Sequence, residues 1–143
     1  MPQQNLASTL FTLTQSYRLI VRDAINATEL GLNALHVKCL HIIADTPHCT
    51  ANDIVNKTQR DKAQIARLIK ELLSLALIAK CADENDKRCF ILSLTNSGQT
   101  LYKTLKQAES TVDTLLCKGL DQAQIDNFLM VANTMINNVN NQK

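Results

Sequence analysis

A predicted helix in the middle of the chain carries basic and amide side chains on one side. Asp61 is a typical N-terminal cap, and the apolar spacing after it predicts a helix to about Leu75. At about 100° per residue, its aliphatic side chains fall together. The opposite side carries Ala63, Gln64, Ala66, Arg67, Lys70 and Ser74. Arginine and glutamine can pair with base edges and lysine can neutralise phosphate, so this side suits a DNA major groove. The alternative is an ordinary solvated helix face.

Positive charge is concentrated in the same part of the chain. Between Lys57 and Arg88 there are eight basic and five acidic residues, a net charge of +3. The rest of the chain has seven basic and eight acidic residues, a net charge of −1. This distribution favours contact with a phosphate backbone, although the bias is modest.

Other side chains with metal or redox chemistry give weaker signals. His41 and Asp45 have the i, i+4 spacing of two metal ligands on one helix, but no HExxH or paired CxxC spacing accompanies them. We therefore predict packing or surface roles and no metal site. Cys39 follows the apolar phase of its predicted helix, so we expect a small buried side chain.

Cys81 and Cys89 lie on either side of a polar cluster around Asn85. A hairpin centred on Asn85 would pair these two residues, which leads to the hypothesis of an oxidation-sensitive disulfide. A register shifted by one residue would separate the two thiols.

Long helices are predicted at both ends of the chain. Apolar residues recur every three or four positions over Leu6–Ala24, Leu101–Leu115 and Ile125–Val139. Asp121 three residues before Gln124 is a capping-box pattern that separates the last two helices. Such a stripe packs within its own domain or forms the seam of a dimer, and three stripes in a small protein favour the dimer.

The segment from about Gly31 to Thr95 is built from shorter elements. Thr95 opens the next helix, with Gly98 in its first turn, where a close backbone approach is expected. The predicted elements are a helix from Leu32 to Ile43 that ends before Thr46, a helix capped by Thr50 that runs through Asn56, the helix after Asp61, and hairpin strands at Leu77–Cys81 and Cys89–Leu94.

Composition narrows the class of protein. The 143 residues are 45% hydrophobic and 20% charged, as in one globular domain. Three glycines and two prolines supply few turns for an all-β fold and little material for a phosphate loop, so we expect no enzyme. No stretch approaches the roughly 20 apolar residues of a membrane span, and there is no signal-peptide pattern. Five cysteines without a CxxC pair indicate reduced thiols and a cytoplasmic protein.

Two segments resemble the MarR family of winged helix-turn-helix transcriptional regulators. Asp83–Arg88, followed by Cys89–Leu94 and Thr95–Gly98, is similar to the family's wing, where an Asp and two basic residues precede a strand ending Leu-Thr-x-x-Gly. Asp61–Leu72 resembles the family's recognition helix. The resemblance implies a mainly α fold with a small β-hairpin wing. It also implies dimerisation helices at 1–30 and 99–143 around a DNA-binding region at 31–98.

The resemblance also implies partners and residue roles. These are a homodimer on a pseudo-palindromic double-stranded operator, repression of transcription, a small aromatic or phenolic effector, and no cofactor. Asp86 would support the wing through a charge-assisted hydrogen bond. The residues that it implies for DNA binding are Thr50, Lys62, Ala63, Gln64, Arg67, Lys70, Lys87 and Arg88. A helical adaptor that binds an acidic partner and a thiol-based redox regulator remain the alternatives.

Two positions depart from the family pattern. Ala76 stands where a glycine is common, and a left-handed backbone there would cost alanine roughly 1 kcal/mol. Thr58–Arg60 replaces the usual apolar-Gly-apolar turn before the recognition helix.

Overall fold

The structure is a computed structural model that describes residues 5–24 and 30–142. Within these residues the chain forms six α-helices and one two-stranded antiparallel sheet. The elements are α1 (Leu6–Ala24), α2 (Ala34–Asp45), α3 (Ala51–Thr58), α4 (Lys62–Ser74), β1 (Ile78–Ala82), β2 (Phe90–Leu94), α5 (Asn96–Leu116) and α6 (Gln122–Asn140). The predicted mainly α fold with a single hairpin is confirmed.

Capping side chains explain where several helices begin. The predicted caps Thr50 and Asp121 each form a capping box with the residue three positions later, and Asp61 accepts a hydrogen bond from the Ala63 amide. Helix α3 runs two residues further than Asn56, because Gln59 ends it in a left-handed conformation with φ of 54°. The sequence reasoning missed the capping box of Asn33 at the start of α2.

The chain forms two compact units, residues 1–109 and 110–143. In the first unit, α2, α3, α4 and the hairpin pack around one core. Its fully buried side chains include Cys39, Leu40, Cys49, Ile54, Ile65, Leu72 and Leu105. In the second unit, α6 has no buried side chain. The division at residues 30/31 and 98/99 stays a prediction.

The hairpin corrects the predicted pairing of Cys81 with Cys89. Cys81 lies opposite Ile91, and both cysteines are free thiols. The turn closes around Asp86 rather than Asn85, because the backbone oxygen of Asp86 accepts a hydrogen bond from the Cys89 amide at 3.1 Å. This moves Cys89 beyond the paired strands, so the predicted disulfide pairing is wrong.

Among residues 5–24 and 30–142, no helix combines the length and the apolar character needed to cross a bilayer.

Candidate nucleic-acid interface

Helix α4 is held by one apolar side, which leaves its other side exposed. Ile65, Leu68, Ile69 and Leu72 are buried, as the predicted apolar phase requires, and α4 packs on α2, α3 and β1. Burying four aliphatic side chains of this size stabilises the fold by several kcal/mol, of the order of 1.5–3 kcal/mol each. The helix therefore cannot rotate about its axis without losing that burial.

The exposed side of α4 carries the predicted contact residues. Lys62, Ala63, Arg67 and Lys70 are exposed, and Gln64 is half-buried. Among the described residues, no carboxylate lies within ion-pair distance of these three cations. Their charge is therefore not neutralised within the part of the chain that the structure describes.

The loop between the strands is organised by its own carboxylates. Oδ1 of Asp86 accepts a hydrogen bond from the Arg88 amide at 3.0 Å, and Oδ1 of Asp83 accepts one from the Asn85 amide at 2.9 Å. Asp86 thus binds the backbone amide of Arg88, one of the two basic residues that the resemblance expects it to hold. Lys87 and Arg88 are exposed.

A groove of about 670 Å³ lies between α3, α4 and the hairpin. Its walls combine aliphatic side chains with four cations and no carboxylate, and they include Thr50 at the start of α3. The four cations are Lys62, Lys70, Lys80 and Arg88. The helix and the hairpin therefore present positive charge to one concave surface, an arrangement that attracts a polyanion.

The groove brings together only part of the predicted set. Thr50, Lys62, Lys70 and Arg88 line it, whereas Ala63, Gln64, Arg67 and Lys87 lie outside its walls. Sequence reasoning missed Lys80, whose Nζ lies 4.8 Å from the centre of the Phe90 ring. Nothing in the sequence selects Lys80, because a lysine weakens the prediction of a short strand. Only the strand register shows which face of the hairpin this lysine occupies.

His41 and Asp45, the two residues with metal-ligand spacing, bind other side chains of the protein. Nε2 of His41 lies 2.5 Å from Oε1 of Glu109, and Asp45 accepts a hydrogen bond from the Tyr102 hydroxyl at 3.1 Å. Within the described part of the chain, no three His, Cys, Asp or Glu side chains converge as metal ligands.

Three of the five thiols have surroundings that favour the protonated form. Burial raises the pKa of Cys39 and of Cys49 to about 11, and the predicted burial of Cys39 is confirmed. The Asp86 carboxylate raises the pKa of Cys89, whose Sγ lies 3.6 Å from Oδ2 of Asp86. Since the thiolate is the reactive form, these surroundings reduce thiol reactivity at neutral pH.

Comparisons with known proteins point to one family. A sequence model of the MarR family matches residues 30–88. The HTH-type transcriptional regulator BilQ of Clostridioides difficile (strain CD3) is 25% identical over 121 residues, which cover 85% of this chain and 80% of BilQ.

Solved structures share the fold. The Staphylococcus aureus MepR–DNA complex has a TM-score of 0.81 at 16% identity and covers 95% of this chain and 99% of MepR. Bordetella bronchiseptica BpsR, described as regulated in its DNA binding by 6-hydroxynicotinic acid, has a TM-score of 0.73 at 22% identity. That match covers 91% of this chain and 97% of BpsR.

Proposed function

Because this chain is a winged helix-turn-helix transcriptional regulator of the MarR family, we propose that it binds double-stranded DNA as a homodimer and represses transcription. The observation that carries the proposal is the groove in which cations of α4 and of the hairpin face one concave surface without a carboxylate. Release of counterions from the phosphate backbone favours DNA at such a surface. The complex formed by MepR, which shares the fold, supports the same partner.

Each structural element has its own role in this proposal. Helix α4 enters the major groove, where Gln64 and Arg67 read base edges and Ala63 allows close approach. Lys62 and Lys70 neutralise phosphates beside it. The residues Lys87 and Arg88 of the wing enter a minor groove, where a narrow A·T-rich segment offers enhanced negative potential. Thr50 contributes a phosphate contact from the start of α3, and Asp86 supports the wing through its backbone bond to Arg88.

The apolar surface that the described helices leave exposed supports the proposed homodimer. On α1, Leu6 and Leu10 are 59% and 44% exposed, and on α6, Leu129 and Ile136 are 52% and 54% exposed. Exposed apolar patches of this kind mark interaction sites. Two recognition helices related by a two-fold axis would read a pseudo-palindrome whose half-sites are about 34 Å apart.

A small aromatic or phenolic effector is part of the proposal. BpsR supports it, since 6-hydroxynicotinic acid regulates the DNA binding of that protein. Such a ligand relieves repression only if it binds more tightly to a dimer whose recognition helices no longer match the half-site spacing.

Arg88→Ala tests the wing. We expect a loss of operator affinity of roughly 1–3 kcal/mol with the dimer intact, because arginine supplies both charge and hydrogen bonds in the groove. Gel-shift titration at fixed salt measures the affinity, on operators obtained by selecting bound fragments from the source genome. Lys118→Ala removes one positive charge from the turn after α5 and serves as the control.

Equal affinity of Arg88→Ala and the wild type would contradict the wing assignment. If the chain is instead an adaptor that binds an acidic protein, duplex DNA should show no gel shift at any salt concentration. That result would contradict DNA binding. For a DNA-binding protein, affinity should fall steeply as salt rises.

A further inference from the structure

His36 uses both ring nitrogens while almost completely buried. Its residue is 3% exposed, and Nδ1 accepts a hydrogen bond from the Asn33 amide at 3.0 Å. An accepting Nδ1 carries no proton, so the neutral ring has its proton on Nε2. Nε2 lies 2.5 Å from Oε2 of Glu71 and donates to that carboxylate. One imidazole therefore caps the start of α2 and binds a side chain of α4.

Glu71 is an acidic residue of α4 that lies close to two of the proposed DNA contacts. These contacts are Arg67, four residues before it, and Lys70, the preceding residue. Acidic and basic side chains four residues apart on a helix attract each other across one turn. Among the described residues, Glu71 binds His36, and no carboxylate lies within ion-pair distance of Arg67.

We propose that His36 is a positioning residue for DNA recognition, which holds the Glu71 carboxylate against α2 and thereby leaves the Arg67 guanidinium free for DNA. The proposal rests on the proposed function. The Glu71 side chain is 47% exposed, so it has room to turn away from α2 once the bond to His36 is lost.

A released carboxylate would oppose DNA binding in two ways. It would pair with Arg67, which removes one cation from the DNA-facing side of α4. Whenever it is not paired with Arg67, it would instead bring a negative charge closer to the phosphates, and charges repel each other within a Debye length of about 8 Å at physiological salt. Both effects act on DNA affinity without requiring any loss of fold.

Two substitutions of Glu71 separate the carboxylate's charge from its position. Glu71→Asp keeps the charge but shortens the side chain, so it withdraws from His36 and can still pair with Arg67 at the same spacing. Glu71→Gln removes the charge and keeps the length. Because Glu71 is partly exposed, both variants should fold.

We expect Glu71→Asp to weaken operator binding by about threefold to tenfold and Glu71→Gln to bind at least as tightly as the wild type. Loss of one free cation should also reduce the slope of log affinity against log salt by about 1 in Glu71→Asp, with no reduction in Glu71→Gln. A role in stability alone would leave that slope unchanged.

His36 is tested through the pair of variants His36→Leu and His36→Leu/Glu71→Gln. Both lose the capping bond and should show the same fall in thermal stability. DNA affinity should fall in the single variant and recover in the double variant. His36→Gln, whose amide can accept from Asn33 and donate to Glu71, is the conservative control and should bind as the wild type does.

The outcomes separate the inference from the function on which it rests. If the wild type binds DNA and Glu71→Asp binds equally well with an unchanged salt slope, the inference alone is wrong. Failure of His36→Leu/Glu71→Gln to recover affinity also overturns it. If the wild type binds no duplex, the proposed function is wrong and the inference falls with it.

Discussion

At the residue scale, Ala76 shows how a departure from a family pattern carries structural information. Its φ is 58°, the left-handed conformation expected where related proteins commonly have glycine. The Leu77 amide donates to the Leu72 oxygen at 3.1 Å and the Ala76 amide donates to the Leu73 oxygen at 3.0 Å, which is the Schellman arrangement at the end of α4. These hydrogen bonds therefore offset part of the strain of a conformation that the Cβ of alanine disfavours.

Ala76→Gly should raise the free energy of unfolding by roughly 1 kcal/mol, because it relieves the left-handed strain. Urea unfolding at one fixed protein concentration measures the change, since the stability of a dimer depends on concentration. Ala79→Gly in β1 is the matched control and should destabilise, because glycine weakens a strand by roughly 0.5–1 kcal/mol. A lower stability of Ala76→Gly would mean that Ala76 makes contacts worth more than the strain.

At the element scale, local signals predicted the helices better than the contacts between them. The caps Thr50 and Asp121 were predictable because each is a short pattern completed within three residues. The hairpin register was not, because it depends on hydrogen bonds that the Asp86 turn makes in three dimensions. The bond from His36 to Glu71 joins residues 35 positions apart, and no periodicity predicts it.

The start of α5 contains one feature that the sequence predicted and one contact that it did not. The expected close approach at Gly98 is confirmed, since a Cβ there would lie 1.9 Å from the backbone oxygen of Leu77. The sequence did not identify Leu77 as the partner. Thr95 fixes this junction, because its hydroxyl donates to the Ala76 oxygen at 2.6 Å and accepts from the Gly98 amide at 3.0 Å.

Gly98→Ala should therefore destabilise the protein by about 1–3 kcal/mol, because the added methyl meets backbone that cannot move without breaking the junction. Thermal unfolding monitored by circular dichroism measures the loss. Ser97→Ala, at the exposed neighbouring position, should change stability little. Equal melting temperatures of Gly98→Ala and the wild type would show that the junction yields to the added Cβ.

At the scale of the whole molecule, the chain has a net charge of +2, and several of its helices expose apolar side chains. The basic residues and the exposed apolar residues suit two different kinds of partner. The central segment carries the excess positive charge, which suits DNA. Helix α6 has no buried side chain, although its apolar residues recur with helical spacing. The sequence predicted this stripe, but a single chain cannot specify what covers it, because the partner surface belongs to another molecule.

Leu129→Glu combined with Ile136→Glu tests whether a second copy covers α6. Two carboxylates on the apolar stripe should dissociate the proposed dimer, because burying unpaired charge costs several kcal/mol. Asn127→Glu combined with Asn138→Glu adds the same charge to the polar side of α6 and should leave the dimer intact. Sedimentation velocity measures the oligomeric state, and gel-shift titration compares full operators with half-sites.

The monomeric variant should keep its affinity for a half-site and lose the additional affinity for two half-sites about 34 Å apart. The reason is that each monomer then loses translational and rotational entropy separately when it binds. A stripe variant that sediments as a dimer would place the dimer seam elsewhere. A monomeric variant that still prefers the full operator would mean that DNA, rather than α6, holds the two copies together.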